Sequence, residues 1–430
     1  MKIAVRSLYF LIFIFSAIYV FKQEKYYKRI EILNGYVLNF HIKKGEILKF
    51  YLNPKLAVKK GWLTINDING TAVDSVLLNI NNQNTIETIV IEKNQNLYTE
   101  EFKIETSNLK QGFYLLGNKI PFWVRDTNLT APIKIIFPFF SLQSMSNAGG
   151  KSFISYNSTN QKAATELSLK RTLNIDEYSI NLINWMNTYY PNQYDLCPDY
   201  LIKEKEKESP DLLILYGNTD YITIEVANYI EKLILKGTDV LSISSTLFQH
   251  IIRHNSSNDK IYYFNESFLD PEKIDTLKTG LATEKIFNSS VKFKFGLKTQ
   301  YIEDTFISNV KPGYFYIYED STFSKNIKSQ QFSIENVNSY NGIWVTAPKN
   351  EIPKYDLEEF KNFHYFKIIG ESKRTITDST IQVGNIIYFQ KSKKSGRQIS
   401  IGCSDWLIKE NLNKANISKL TKSFIDEFIK

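Results

Sequence analysis

Cysteine, histidine and methionine are scarce, at two, four and three residues among 430. Two cysteines, Cys197 and Cys403, exclude a disulfide framework, and no Cys-x-x-Cys is present for zinc or redox chemistry. A single bridge between them requires Cα atoms within ~7 Å. Four histidines, His41, His250, His254 and His364, leave little material for a histidine-rich metal cluster. Long apolar runs are missing beyond Phe21, which excludes a polytopic membrane protein. A strong excess of one charge is missing too. Lys plus Arg is 53 and Asp plus Glu is 45, a net of +8. Much of it is interleaved, as in Lys203-Glu204-Lys205-Glu206-Lys207-Glu208, which reads as a solvated face and not as a nucleic-acid groove. What is present is apolar and aromatic: 43% hydrophobic and 14% aromatic, enough for real cores and incompatible with a disordered chain. At roughly 100–200 residues per domain, two or three domains are expected.

The first residues have their own pattern. Met1–Arg6 is basic, Leu8–Phe21 is apolar except for Ser16, and Lys22, Lys25, Lys28 and Arg29 follow. A basic start before a short apolar core reads as a signal peptide or membrane anchor over residues 1–30. The run from Leu8 to Phe21 covers only ~21 Å as a helix, short of the ~30 Å hydrocarbon core. Extending it back to Ile3 includes Arg6, a side chain long enough to snorkel. No Ala-x-Ala site follows. The expectation is an exported protein of the cell envelope or periplasm, anchored by an N-terminal transmembrane segment, with self-association open.

Residues 33–127 read as short strands separated by turns such as Asn69-Gly70, the pattern of a small β-sandwich. From 133 the pattern changes. Ile133–Phe140 and Asp211–Tyr216 are continuous apolar runs, as in strands buried on both faces. Ile222–Lys236 carries Val226, Ile230, Leu233 and Ile234 on one helical stripe, with Thr223 as N-cap and Gly237 after the last turn. Asp239–Ser244 is a third buried run. Strand, helix and strand in quick succession predict a parallel α/β sheet over 133–407, with a β-rich insertion around 285–345 and a C-terminal helix over 408–430.

Several motifs compete for the chemistry. Gly149-Gly150-Lys151-Ser152 lacks the first glycine of a phosphate loop, because Met145 stands there. His250 and His254 have the i, i+4 spacing of a helical metal pair but no glutamate between them, and read as surface or half-buried histidines. Ser244, Ser245 and Thr246 stand where a strand would meet a helix, as a nucleophile elbow or as capping hydroxyls. Asp220, flanked by Asn218 and Tyr221, stands past the carboxyl end of the run Asp211–Tyr216, the edge where open α/β sheets bind ligands.

Five stretches resemble one family. Ser141-Leu142-Gln143-Ser144-Met145-Ser146-Asn147-Ala148-Gly149-Gly150-Lys151-Ser152 through Ser158 is similar to that family's "TWQAYNNWGGKSLYDYNS". Gly112-Phe113-Tyr114 with Ile120–Arg125, Gly217–Thr223, Ser244–Phe248 with Arg253, and Gly396–Trp406 follow in the family's order. The sequence thereby resembles the large (beta) subunit of N,N-dimethylformamidase, over about residues 35 to 407. The resemblance implies an immunoglobulin-like sandwich followed by a glutamine-amidotransferase-like, flavodoxin-like α/β domain. It also implies a hydrolase of C–N (amide) bonds.

The family's enzyme resembles a mononuclear iron amidase whose iron is held by two tyrosines and a glutamate. Those positions correspond here to Met145, Ile154 and Asp220, and a neighbouring histidine to Asn218. Ferric iron favours hard, anionic oxygen donors, which a thioether and an alkyl group are not. A carboxylate shortened by one carbon moves its oxygens by ~1.5 Å, against metal-site tolerances of ~0.2 Å. Tyr156, two residues on, or Tyr221 would have to supply the phenolate. The expected site is therefore Asp220, Tyr221 and Asn218 for catalysis, with Gln143, Met145, Gly149, Gly150, Lys151, Ile154 and Tyr156 as the pocket loop. Any metal would rest on Asp220 and Tyr156. The competing expectation is an inactive envelope scaffold that binds a peptide, glycan or protein.

Overall fold

The computed structural model describes residues 27–55, 59–80, 101–126, 131–202, 209–282, 313–318, 323, 331–334, 346–348, 360–377 and 380–429. The anchor segment, the Lys/Glu run at 203–208, the expected strands at 88–92 and 287–295, and most of 285–345 lie outside them. The chain divides into two compact units, Met1–Val124 and Arg125–Lys430.

The first unit is built of strands β1 (Ile32–Val37), β2 (His41–Lys43), β3 (Ile47–Pro54), β4 (Lys60–Asp67), β5 (Ala72–Asn79), β6 (Glu101–Glu105), β7 (Gly112–Leu116) and β8 (Ile120–Arg125). They form a three-stranded sheet in the order β1-β3-β6 and a five-stranded sheet in the order β2-β8-β7-β4-β5. Phe50 and Phe102 from the first sheet share one apolar core with Leu63, Leu116 and Phe122 from the second. Alternation explains this. Along β3, Leu48, Phe50 and Leu52 face inward while Ile47 and Lys49 face out.

The second unit is mixed α/β and strand-rich. Its parallel core consists of β9 (Ile133–Phe137), β11 (Tyr194–Pro198), β12 (Leu212–Thr223), β13 (Asp239–Asn255) and β21 (Arg397–Ile401), side by side in the order β11-β9-β12-β13-β21. Taken in chain order, that is second, first, third, fourth, fifth. Among the described residues the unit has four helices longer than one turn: α1 (Phe139–Met145), α2 (Glu177–Tyr189), α3 (Ile224–Leu235) and α4 (Ala415–Phe428). A short turn of helix at Lys409–Leu412 precedes α4, so the expected single terminal helix is broken in two. The sheet continues antiparallel from β21 through β20 (Thr380–Gln390), β19 (Tyr365–Thr377) and β16 (Gly313–Ile317) to β17 (Gln331–Ile334); off this path β10 (Glu166–Ser168) pairs with β14 (Lys260–Tyr262), β14 and β15 (Gly280–Leu281) pair with β13, and β18 (Thr346–Pro348) pairs with β20.

Helix α3 follows the sequence pattern closely. Thr223 Oγ1 accepts from the Val226 N–H at 3.3 Å, Gly237 ends the helix at φ +105°, and Val226, Ile230, Leu233 and Ile234 are buried. Burial of such side chains stabilises by roughly 1.5–3 kcal/mol each. The cysteines do not pair: both are buried and free. Cys197 is on β11 and Cys403 follows β21, four strands away, a separation of about 19 Å at ~4.8 Å per strand.

Candidate functional site

The site begins with a fault in the sheet. Strand β12 does not end at Tyr216 as its apolar run predicts, but continues to Thr223, and β13 continues past Ser244 to Asn255. Asp220 is thus inside a strand, and Ser244-Ser245-Thr246 is not a strand-to-helix elbow. Ser244 Oγ donates to the Gly217 carbonyl at 2.6 Å, and Ser245 N–H donates to Ser404 Oγ at 2.8 Å. The hydroxyls serve to hold the strands together. The β12–β13 register slips twice, between Tyr216 and Asn218 and between Thr219 and Tyr221. Gly217 (φ +64°) marks the first slip and Phe248 (φ +54°) the second. A bulky non-glycine residue in the left-handed region costs about 1–3 kcal/mol and persists only where its surroundings enforce it. Consecutive residues of a regular strand face opposite ways, but Asp220 and Tyr221, beside the slip, border the same cavity.

Two neighbouring elements fix this edge. Helix α1 is clipped to β12 by Ser141, whose Oγ accepts from the Tyr221 N–H at 2.9 Å and donates to the Tyr221 carbonyl at 3.2 Å. The buried Asp199 carboxylate accepts from the Phe140 N–H at 3.1 Å. After α1, the Gly149-Gly150 loop is held by Arg171, which is buried and donates to Gln143 Oε1 at 2.9 Å, to the Ala148 carbonyl at 2.9 Å and to the Lys151 carbonyl at 2.7 Å. It also donates to the Gln143 carbonyl. Burial pushes the guanidinium down to about 9. Gly149 (φ +78°) and Gly150 (φ +71°) take left-handed conformations, and a Cβ on Gly150 would meet Thr159 Oγ1 at 2.9 Å. Lys151 is extended and exposed, with no helix opening behind it, so this loop is not a phosphate cradle.

The cavity, about 510 Å³, is bordered by Phe153, Ile154 and Tyr156 on one side, Asp220, Tyr221 and His250 at the strand fault, and Tyr263, Phe264, Asn265 and Leu269 on the other. The segment carrying the last four is tied down by Asp270. Its carboxylate accepts from Arg253 at 3.1 Å, the Thr279 N–H at 2.9 Å, the Thr279 hydroxyl at 3.0 Å and the Glu272 N–H at 3.0 Å. Burial alone would raise its pKa, but these hydrogen bonds outweigh it and lower it.

Asp220 is 9% exposed, and its Oδ1 has no hydrogen-bond partner. Burial pushes its pKa up to about 7, eased by the nearby Thr246 hydroxyl, although that hydroxyl completes no hydrogen bond either. His250 is also buried, and loss of solvation pushes it down to about 4, so the ring is neutral at pH 7. Its Nδ1 is 2.6 Å from the Tyr263 hydroxyl, which donates to Asn265 Oδ1 at 3.2 Å. That direction puts the imidazole proton on Nδ1 and leaves Nε2 as an acceptor. Tyr221 stacks on His250 at 4.6 Å and stands at 89° to Tyr263.

Of the residues expected from sequence, the cavity therefore gathers Asp220, Tyr221, Ile154 and Tyr156. Asn218, Gln143, Met145, Gly149, Gly150 and Lys151 do not border it. Gln143 is engaged by Arg171, and Met145 packs against the core. His250 and His254 lie on a strand, not a helix, about 13 Å apart at ~3.3 Å per residue, so they are not a metal pair. Tyr263, Asn265 and Phe153 escape the sequence reading, which weighed His250 only as half of a metal pair or as a surface or half-buried ring, whereas it is buried at 8% exposure. The aromatic run Ile261-Tyr262-Tyr263-Phe264 was the available signal for part of that wall.

The donor set does not fit ferric iron. Where the resemblance would place two tyrosines stand Met145, packed against the core, and Ile154, an alkyl wall of the cavity. Tyr263 is already committed to His250 and Asn265. Among the described residues, no three His, Cys, Asp or Glu side chains gather to hold a metal.

No family model matches the chain, and no curated protein matches it. Among solved structures it is similar to a ThuA-like protein from Bacteroides uniformis, at 13% identity and a TM-score of 0.28, over 57% of this chain and 86% of that one. A likeness of that degree defines neither the fold nor the activity.

Proposed function

We propose that the protein is an acid–base hydrolase of small amides that works without the iron of the family it resembles. On this reading the second unit is a flavodoxin-like, glutamine-amidotransferase-like domain, whose strand order is the doubly wound 2-1-3-4-5. The first unit is an immunoglobulin-like sandwich, and the chain is an exported, anchored envelope protein. The observation that carries the function is Asp220: a buried carboxyl with one unpartnered oxygen, bordering a cavity at the carboxyl edge of a parallel sheet.

A carboxyl poised near 7 suits both directions of proton transfer at neutral pH. In the ionised form Asp220 takes a proton from water as the water oxygen bonds to the amide carbon and the carbonyl electron pair moves to its oxygen. The Tyr156 phenol, an exposed group on the border, donates to that oxyanion. Protonated Asp220 then gives its proton to the amide nitrogen as the C–N bond breaks. Amide and water become acid and amine, and the carboxylate is regenerated. The neutral His250, locked by Tyr263, orients substrate through Nε2.

The test is release of amine from a panel of uncharged N-alkyl amides by the full chain, with and without chelator. Turnover that survives chelation and is lost in Asp220→Asn supports the reading. Turnover that needs added metal, or survives Asp220→Asn, overturns it. Absence of turnover on every amide overturns it in favour of a non-catalytic binding protein, the reading favoured by the replacement of both phenolate positions.

A further inference from the structure

We propose that the cavity recognises an organic ammonium group, as a quaternary or alkylated amine. This deepens the preceding reading of the same cavity and rests on it for the location of the site only. Three observations converge. The walls are aromatic: Phe153 lies 5.8 Å from Tyr221 and 5.5 Å from Tyr263, while Tyr221 and Tyr263 meet at 5.3 Å and 89°. The three rings are packed on one another and only 3–4% exposed, and Tyr156 and Phe264 extend the aromatic lining. Aromatic faces carry negative quadrupole charge and attract a cation within about 6 Å.

The second observation is the carboxyl. Asp220 borders the cavity, and its buried Oδ1 has no partner among the described residues, so the carboxyl stands unanswered before any ligand arrives. A buried carboxylate without a counter-charge is unfavourable, and an ammonium beside it supplies that charge.

The third is what the lining omits. Among the described residues no Lys or Arg borders the cavity, in a chain with 53 of them. The one basic ring, His250, is held neutral by burial. An anionic ligand would meet no positive group, and a neutral one would leave the carboxyl unanswered. An ammonium answers both the carboxyl and the rings. In the hydrolytic cycle the product reaches the same form, since the released amine takes up the proton of the carboxylic acid formed with it, leaving ammonium and carboxylate.

The experiment is titration calorimetry of the full chain with choline and with its uncharged carbon isostere. Choline is expected to bind at least about tenfold more tightly, from desolvated cation–aromatic contact and pairing with Asp220. Asp220→Asn should erase most of that preference. Should that variant fail to fold, the exposed Tyr156→Ala should weaken choline more than the isostere. Equal binding of the two ligands by the wild type, or no binding of either, overturns the proposal. Amide turnover with no preference for choline sinks this inference alone, and preference for choline without turnover sinks only the hydrolase.

Discussion

Tyr221 and His250 are register partners on neighbouring parallel strands, and their rings stack 4.6 Å apart with planes only 22° from parallel. The contact joins two roles. Tyr221 is clipped through its backbone to Ser141 on α1, and His250 is held by Tyr263 from across the cavity. The stack therefore ties together the strand fault, the helix behind it and the opposite wall, and leaves Asp220 in a place that solvent barely reaches.

That burial has a measurable cost. The folded pKa of Asp220 is raised from 3.8 to about 7. Below about pH 4 the carboxyl is protonated in both folded and unfolded chains, and stability does not depend on it. Between pH 4 and 7 the unfolded chain ionises first, so the folded state loses ground, and above 7 the loss is complete at roughly 4 kcal/mol. Asp220→Asn is expected to stabilise the second unit at pH 8 by up to that amount and by almost nothing at pH 4, measured by denaturant unfolding at both values.

His250 acts in the opposite pH direction. Its folded pKa is lowered from 6.5 to about 4, so as pH falls the unfolded chain takes up the proton first. Stability is fully present above pH 6.5 and declines by roughly 3 kcal/mol down to pH 4. His250→Gln should flatten that decline. An unchanged acid limb in the variant would mean that the ring is not buried as described.

Arg171 holds the Gly149-Gly150 loop through carbonyl oxygens alone. Arg171→Met keeps the length of the side chain and removes every donor, leaving buried carbonyls unpaired at about 1–3 kcal/mol each. A loss of roughly 3 kcal/mol or more is expected, together with faster proteolysis at residues 148–157. Loss of amide turnover without loss of stability would contradict a purely structural role.

Two residues of the Gly396-Arg397-Gln398 motif have structural rather than chemical duties. A Cβ on Gly396 would lie 1.8 Å from the Thr238 carbonyl oxygen, and Arg397 pairs with Asp239 at 2.6 Å and with Glu427 at 2.9 Å. Gly396→Ala should cost about 1–3 kcal/mol or more through forced backbone movement. Equilibrium unfolding of the variant checks this.

Iron gives the sharpest test of the site's chemistry. The full chain, purified without tag or chelator and loaded anaerobically with iron, is expected to hold far less than one iron per chain by elemental mass spectrometry. Near-stoichiometric iron would mean that Asp220, Tyr156 and Tyr221 rebuild a site despite Met145 and Ile154, and the metal-free mechanism would fall.

Local physics made some features legible in the sequence. Thr223 as cap, Gly237 as stop and the Val226–Ile234 stripe are read from nearest neighbours, and the helix obeys them. The apolar runs Ile133–Phe140 and Asp211–Tyr216 are buried strand over Ile133–Phe137 and from Leu212, because nothing there is polar enough to face water except Lys134, whereas Phe139 and Phe140 open helix α1 after Pro138. Asp220 was legible as a candidate from its place after an apolar run, and the structure sets it at the border of a cavity. The sequence could not announce that β12 runs on through Thr223, because the residues after Tyr216 are held as strand by β13, more than twenty positions away. Nor could it announce the register slip beside Asp220, which depends on Phe248 accepting a left-handed backbone. His250, Tyr263 and Asn265 were separate polar and aromatic letters until strand pairing brought them around one cavity. Neighbour-to-neighbour preference set the elements of this protein; which side chains meet, and so what they can do together, was decided by contacts between distant segments, whose energies depend on the whole fold.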